Sequence, residues 1–203
     1  MRCPSRLAAI TVAVAAVAAL SGCSDGKSAV APPGAGPGAI AFTVSGDEVA
    51  AAAAPGPRFP DDVRAKVTAT LERYLGDAVV GPLRSGRPAG DLGTVFTGPA
   101  LARINGPDRA ALVDEGLPPA DDLRADAASA RLAALAEASG VVTVVAAGVE
   151  IRLRTGGPDD VTIVRTGDLV LVADGDGWKI DGYEIRTTRD SAGGEATTTT
   201  ARG

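Results

Sequence analysis

The sequence predicts an α+β domain, with N-terminal helices packed on a curved antiparallel sheet. Three observations carry this. Val63, Val67, Leu71, Tyr74 and Leu75 recur at the spacing of one helix face, with Asp62, Arg64, Lys66 and Arg73 opposite. From Val141 onward the period drops to two. Val149, Ile151 and Leu153 alternate with Glu150, Arg152 and Arg154, the pattern of an antiparallel strand with one wet face. Asp174-Gly175-Asp176-Gly177 lies between two later alternating runs and has hairpin-turn chemistry. Helices followed by strands make an α+β layout.

The elements follow in chain order. Residues 24–38 are punctuated by Gly and Pro and carry no apolar period, so they read as a tether. Ala39 to Val44 alternates weakly and reads as a short strand, whereas Ala- and Pro-rich Glu48 to Pro57 continues the linker. Order begins near Pro60. Asp61 and Asp62 put negative charge at a helix start. That helix is expected to reach Val80, with Gly81-Pro82 as its stop. Short helical pieces are expected over Asp91–Phe96, Ala100–Ile104 and Asp108–Glu115. Ala128 to Glu137 is ambiguous. Leu132 and Leu135 permit a helix, while Ser139-Gly140 and the strand beyond permit a hairpin; a strand is preferred because the sheet needs a fourth member. Strands follow over Val141–Arg154, Val161–Val172 and Trp178–Arg189. In the last, Trp178 and Ile180 share one face and Tyr183 and Ile185 the other, unless a bulge at Gly182 brings all four to the core. The tail from Ser191, with threonines at 197–200, is expected to be disordered.

The first 22 residues are a separate matter. Arg2 and Arg6 precede an apolar, Ala-rich run from Leu7 to Ala19, which ends on Leu20-Ser21-Gly22-Cys23. The run is 13 residues, short of the ~20 that span a bilayer. A positive start, a short apolar core and small residues before a cleavage point make a secretory signal. Its ending resembles the lipobox of bacterial lipoproteins, in which Leu20, Ser21 and Gly22 would mark the cleavage site and Cys23 would carry the lipid. The resemblance implies an N-terminal diacylglyceryl-Cys. It places the protein at the cell membrane, lipid-anchored on the extracytoplasmic face. Lipid contributes about 0.8 kcal/mol per buried CH₂, so a multiply acylated cysteine anchors without a spanning helix. Cys3 would leave with the signal, so no disulfide is expected.

Composition narrows the function. Losing Arg2 and Arg6 deepens the formal charge of −5 by two, to −7. An acidic chain lacks the footprint of nucleic-acid binding. There is no histidine, which excludes Ser-His-Asp and Cys-His catalysis and imidazole zinc sites. No metal or cofactor site is expected. The segments are therefore a signal peptide over 1–22, a lipidated Cys and Gly/Pro/Ala-rich tether over 23–58, a domain over 59–190 and a tail over 191–203. The folded part is roughly 130 residues, one ordinary domain.

The opening helix, the Phe96 segment and the closing pair Gly167-Asp168-Leu169-Val170-Leu171 and Asp176-Gly177-Trp178-Lys179-Ile180-Asp181-Gly182-Tyr183 carry a second resemblance. Residues 60–190 resemble the nuclear transport factor 2-like, or SnoaL-like, cone-shaped domains. That superfamily mixes isomerases, dehydratases and hydrolases with non-catalytic binding domains, so the fold alone assigns no activity. The resemblance implies a cavity near Tyr74, Phe96, Trp178 and Tyr183, the candidate ligand-binding residues. Plain core packing is the competing account of all four.

Other polar features read as surface chemistry. Asp174-Gly175-Asp176-Gly177 lacks the further ligands of a calcium loop. The acidic pairs Asp114-Glu115, Asp121-Asp122 and Asp159-Asp160 read as solvated loop charges. No catalytic residue is assigned. The expectation is a non-catalytic lipoprotein domain that binds a cell-envelope protein or a small apolar ligand. The alternative is a small SnoaL-like isomerase or hydrolase using Asp and Tyr in the cone. A homodimer through the open sheet face is a further possibility.

Overall fold

The computed structural model describes residues 40–51, 59–156 and 160–203. The expected signal peptide, Cys23 and the tether over 23–39 and 52–58 lie outside the described residues. The elements are strand β1 (Thr43–Ala51), helix α1 (Asp61–Tyr74), a π-helical turn (Leu75–Val80), α2 (Gly81–Ser85), a 3-10 turn (Leu92–Thr94), α3 (Gly98–Ile104) and α4 (Arg109–Leu112). Five strands follow: β2 (Leu123–Ala136), β3 (Val142–Thr155), β4 (Val161–Asp174), β5 (Gly177–Ser191) and β6 (Thr197–Arg202). They form one six-stranded sheet in chain order, β1-β2-β3-β4-β5-β6.

The α+β class holds, with two corrections. The sheet is mixed, because β1 runs parallel to β2 while every later pair is antiparallel. The helices do not open the fold either; they lie between β1 and β2. That order is physically required. Two parallel neighbours need a crossover of a dozen residues or more, and the helices supply it.

The long strands follow the alternation read from sequence. In β3, Val145, Ala147, Val149, Ile151 and Leu153 are buried between exposed or half-exposed neighbours. In β4 the inward set is Val161, Ile163, Arg165, Leu169 and Leu171. The ambiguous segment is strand, paired with β3 throughout, and it starts earlier than expected, at Leu123. The bulge in β5 is present: Val170 opposes Gly182 and Leu171 opposes Ile180, which leaves Asp181 as the extra residue. Trp178, Ile180, Tyr183 and Ile185 accordingly all face the core. Asp174 pairs with Gly177 around a two-residue turn, with Gly175 at φ +57° where an L side chain would be strained.

Three expectations are overturned. Gly81-Pro82 does not stop the first helix. In the π-helical turn the Gly81 amide reaches back to the carbonyl of Gly76, and Pro82 sits in the first turn of α2, where its missing donor costs little. The helical run ends at Gly86, whose amide bonds the Pro82 carbonyl at 2.8 Å. Part of the 23–58 segment is strand rather than tether: β1 adds a parallel edge to β2, and the preceding Phe42 is buried. The 191–203 tail is ordered too. Its threonines are β-branched and suit a pleated surface, so β6 pairs with Glu184–Arg189 and buries Ala201.

The core lies between the inner sheet face and the helices, which pack chiefly over β5. A few large apolar side chains stay exposed; Leu135 and Val170 point from the outer sheet face and Val141 flanks β3.

Gly167 shapes this sheet. Its φ is +143°, and a Cβ there would lie 2.0 Å from the carbonyl oxygen of Glu184 on β5. Any side chain forces the two strands apart. Gly167→Ala is expected to cost about 1–3 kcal/mol from conformation alone, with the clash adding to it. A urea midpoint unchanged from wild type would show that the glycine is dispensable.

Candidate functional site

The short helix α4 is the centre of the polar chemistry. A helix end leaves carbonyls without intrahelical partners. Here three successive carbonyls each take a side-chain donor from another element. Thr187 Oγ1 donates to Ala111 O at 2.6 Å, the Tyr74 hydroxyl to Leu112 O at 3.1 Å, and Arg189 Nη2 to Val113 O at 3.3 Å. The next residue, Asp114, donates its amide to Ala78 O at 3.0 Å.

The Asp114 side chain is fully buried and shared by two guanidinium groups. Arg165 Nη2 donates to Oδ2 at 3.0 Å, and Arg189 donates to Oδ1 through Nε at 2.9 Å and Nη2 at 2.5 Å. Arg165 is itself 0% exposed. Its Nε donates to Thr187 Oγ1 at 2.9 Å, and the group lies 5.9 Å from the Tyr74 ring centroid. Its Nη1 is buried with no hydrogen-bond partner. Two cations therefore meet one carboxylate. Alongside, Arg109 donates to Glu115 through Nε and Nη2, and the Ala89 amide caps Glu115 Oε1 at 2.6 Å. The Arg109 hydrogen bond holds the Glu115 carboxyl below its ordinary value.

A groove of about 500 Å³ opens over this cluster. One wall is the segment around α4, with Ala110, Val113 and Leu117; the other is Arg189 with Thr197 and Thr199 of β6. Arg189 keeps 16% of its side chain exposed and lies at the junction between the buried cluster and solvent.

The four aromatic candidates are placed differently. Tyr74, Phe96 and Tyr183 come together as a chain of edge-to-face contacts, with centroids 5.7 Å and 6.3 Å apart. They are buried, and this is core packing rather than the wall of an open cone. Trp178 is apart from them, at the edge of a hollow of about 240 Å³ between α1 and the β4–β5 turn, together with Lys66, Arg73 and Lys179. A carboxylate does sit beside Tyr183: its hydroxyl donates to Asp108 Oδ2 at 3.0 Å, and the same oxygen accepts Arg103 Nε at 2.7 Å. Burial, followed by the bond to Asp108, pushes the Tyr183 phenol from an ordinary 10.0 up to about 12. Burial raises the Tyr74 phenol as well.

The acidic pairs divide. Asp122 is a solvated loop charge as expected, bridged to Arg124 at 2.7 Å. Asp159 lies outside the described residues. Asp174 pairs with Lys179 at 2.8 Å, in keeping with a turn. Asp114-Glu115 overturns its expectation, because Asp114 is buried and Glu115 half-buried, each neutralised by arginine. Sequence reasoning passed over those arginines. Yet the signal was there: Arg165 shares the inward phase of β4 with Ile163 and Leu169, and Arg189 shares that of β5 with Ile185 and Thr187. Among the described residues no cluster of metal-ligating side chains occurs, and no helix is long and apolar enough to cross a membrane. Comparison with known proteins finds no matching family model, no matching curated protein and no matching solved structure.

Two outcomes follow from this geometry. Asp114→Ala leaves the buried Arg165 without its carboxylate, beside the part-buried Arg189, and is expected to cost about 3–5 kcal/mol, while adding Arg165→Met to it recovers most of the loss; chemical denaturation of both variants decides this. The Tyr183 phenol is held more tightly in the folded than in the unfolded state. Its contribution to stability is therefore complete below about pH 10 and lost as pH rises through about 12. Tyr183→Phe should flatten the alkaline limb of a stability–pH curve, and an unchanged limb would assign that limb to other groups.

Proposed function

We propose that this chain is a bacterial lipoprotein, anchored through diacylglyceryl-Cys23 at the extracytoplasmic face of the cell membrane. Its α+β domain, of the nuclear transport factor 2-like cone type, binds a ligand or a cell-envelope protein without catalysis. The observation that carries the reading is Leu20-Ser21-Gly22-Cys23 behind Arg2, Arg6 and a short apolar run. Cys23 would be the lone cysteine left after cleavage.

The state of the polar groups supports binding over chemistry. A general acid or base works best with a pKa near the operating pH. Tyr183, the tyrosine with a carboxylate beside it, has its phenol pushed away from neutrality to about 12. Its carboxylate partner Asp108 already holds Arg103. The isomerase or hydrolase alternative would have to release both groups from these partners.

Membrane fractionation tests the anchor. Wild type is expected in the membrane pellet after an alkaline carbonate wash, and globomycin should cause the uncleaved precursor to accumulate. Cys23→Ala should move the chain to the soluble extracytoplasmic fraction or leave it uncleaved. A Cys23→Ala chain that is cleaved and still resists the wash would overturn the lipoprotein reading.

A further inference from the structure

We infer that the groove over α4 binds a small monocarboxylate with an apolar body, and that Arg189 receives its carboxylate. The inference rests on the reading of the domain as a binding module and names the ligand class for it.

The argument begins with charge. Arg165 and Arg189 share Asp114, while Arg109 is matched by Glu115. Counting the cluster as three guanidiniums and two carboxylates leaves one positive charge without a counterpart. Arg165 is sealed in the core, so the surplus can be met only at Arg189, which reaches the groove. Arg189 uses Nε and Nη2 on Asp114 and Val113; Nη1 makes no hydrogen bond among the described residues. The two N–H groups of Nη1 are the donors left over, and a charged donor beside a low-dielectric wall can take up a carboxylate oxygen. The surplus is a single charge, which favours a monoanion. In a chain with formal charge −5, a positive groove is also a local exception to the overall field.

Size and lining give the rest of the ligand. A volume of about 500 Å³ is far more than an inorganic ion needs and falls in the range of small-molecule sites. Val113, Ala110 and Leu117 line the wall opposite β6 and offer apolar surface to a chain or ring. On the β6 side Thr197 adds a hydroxyl, and Thr199, whose hydroxyl donates to Thr187 O at 3.5 Å, adds an acceptor oxygen. The buried cluster has a structural role in capping α4, but capping needs only the nitrogens already engaged. The Nη1 of Arg189 is surplus to it.

The test is equilibrium binding of 4-phenylbutyrate and octanoate to the full chain, against their neutral amides as controls. All samples carry the same detergent, so partition into micelles cancels between variants. At least one carboxylate is expected to bind in the millimolar range or better, with its amide about tenfold weaker or more. Arg189→Gln should lose about tenfold of carboxylate affinity and leave the amide unaffected. The fold should survive, since Arg165 and Asp114 then balance one to one. Ala110→Trp, a substitution at an exposed position on the groove wall, should block both ligands without touching an ion pair. Equal binding of acid and amide, unchanged binding by Arg189→Gln or by Ala110→Trp, or no binding of either acid at about 10 mM, each overturns the proposal. Recovery of a chemically altered ligand would instead overturn the binding-module reading, and fractionation of Cys23→Ala reports on the anchor independently of both.

Discussion

The carboxylate of Asp114 is the contact on which the rest of the fold depends. It follows a helix of only four residues, too short to be stable alone. Its two oxygens bind arginines from two adjacent strands, β4 and β5. Around it, carbonyls 111, 112 and 113 each receive a donor from α1 or β5. The connection is therefore fixed by foreign side chains rather than by its own helical bonds. Buried ion pairs are weak evidence for stability but can specify one arrangement over others. Here they set where the helical layer ends and where the chain turns back to enter β2.

Strand β5 provides the complementary constraint. It presents Thr187 and Arg189 to the end of α4, and Tyr183 to Asp108 at its start. Between Ile180 and Tyr183 the extra residue Asp181 changes the phase of the strand, so that Trp178 and Arg189 can both point inward along one element. Without the bulge, Trp178 and Ile180 would face the opposite side of the sheet from Tyr183, Ile185, Thr187 and Arg189. The edge-to-face chain Tyr74–Phe96–Tyr183 and the arginine cluster both draw on the part of β5 beyond the bulge, and they are joined at Tyr74, which touches both.

Much of this was legible in the residues. Period-two alternation located β3, β4 and β5, and the mismatch between Ile180 and Tyr183 revealed the bulge. What escaped was non-local. Thr197 to Thr200 reads as a loose tail until an open edge of β5 is available to pair with it. The stretch from Glu48 reads as linker because its partner is far along the chain, at Ala133. Asp114 looked like a loop charge since no local pattern marks a carboxylate for burial; only Arg165 and Arg189, on the inward phases of distant strands, make its burial tolerable. Pro82 misled for a different reason. Its stop signal is local, and a π-helical turn just before it absorbs the missing donor.

The parallel pairing of β1 with β2 has a consequence for how the sheet comes together. The antiparallel pairs close over short connections, so their strands find one another at small entropic cost. Thr43 pairs with Ser129 across the whole helical layer, which lies between them in the chain. The cost of closing a loop rises with its length, and non-local pairings slow folding. Of the pairings in this sheet, β1–β2 encloses the longest stretch of chain and carries the largest closure entropy. Its long strands give the sheet a low-contact-order body, and β1 adds one high-contact-order seam at its edge.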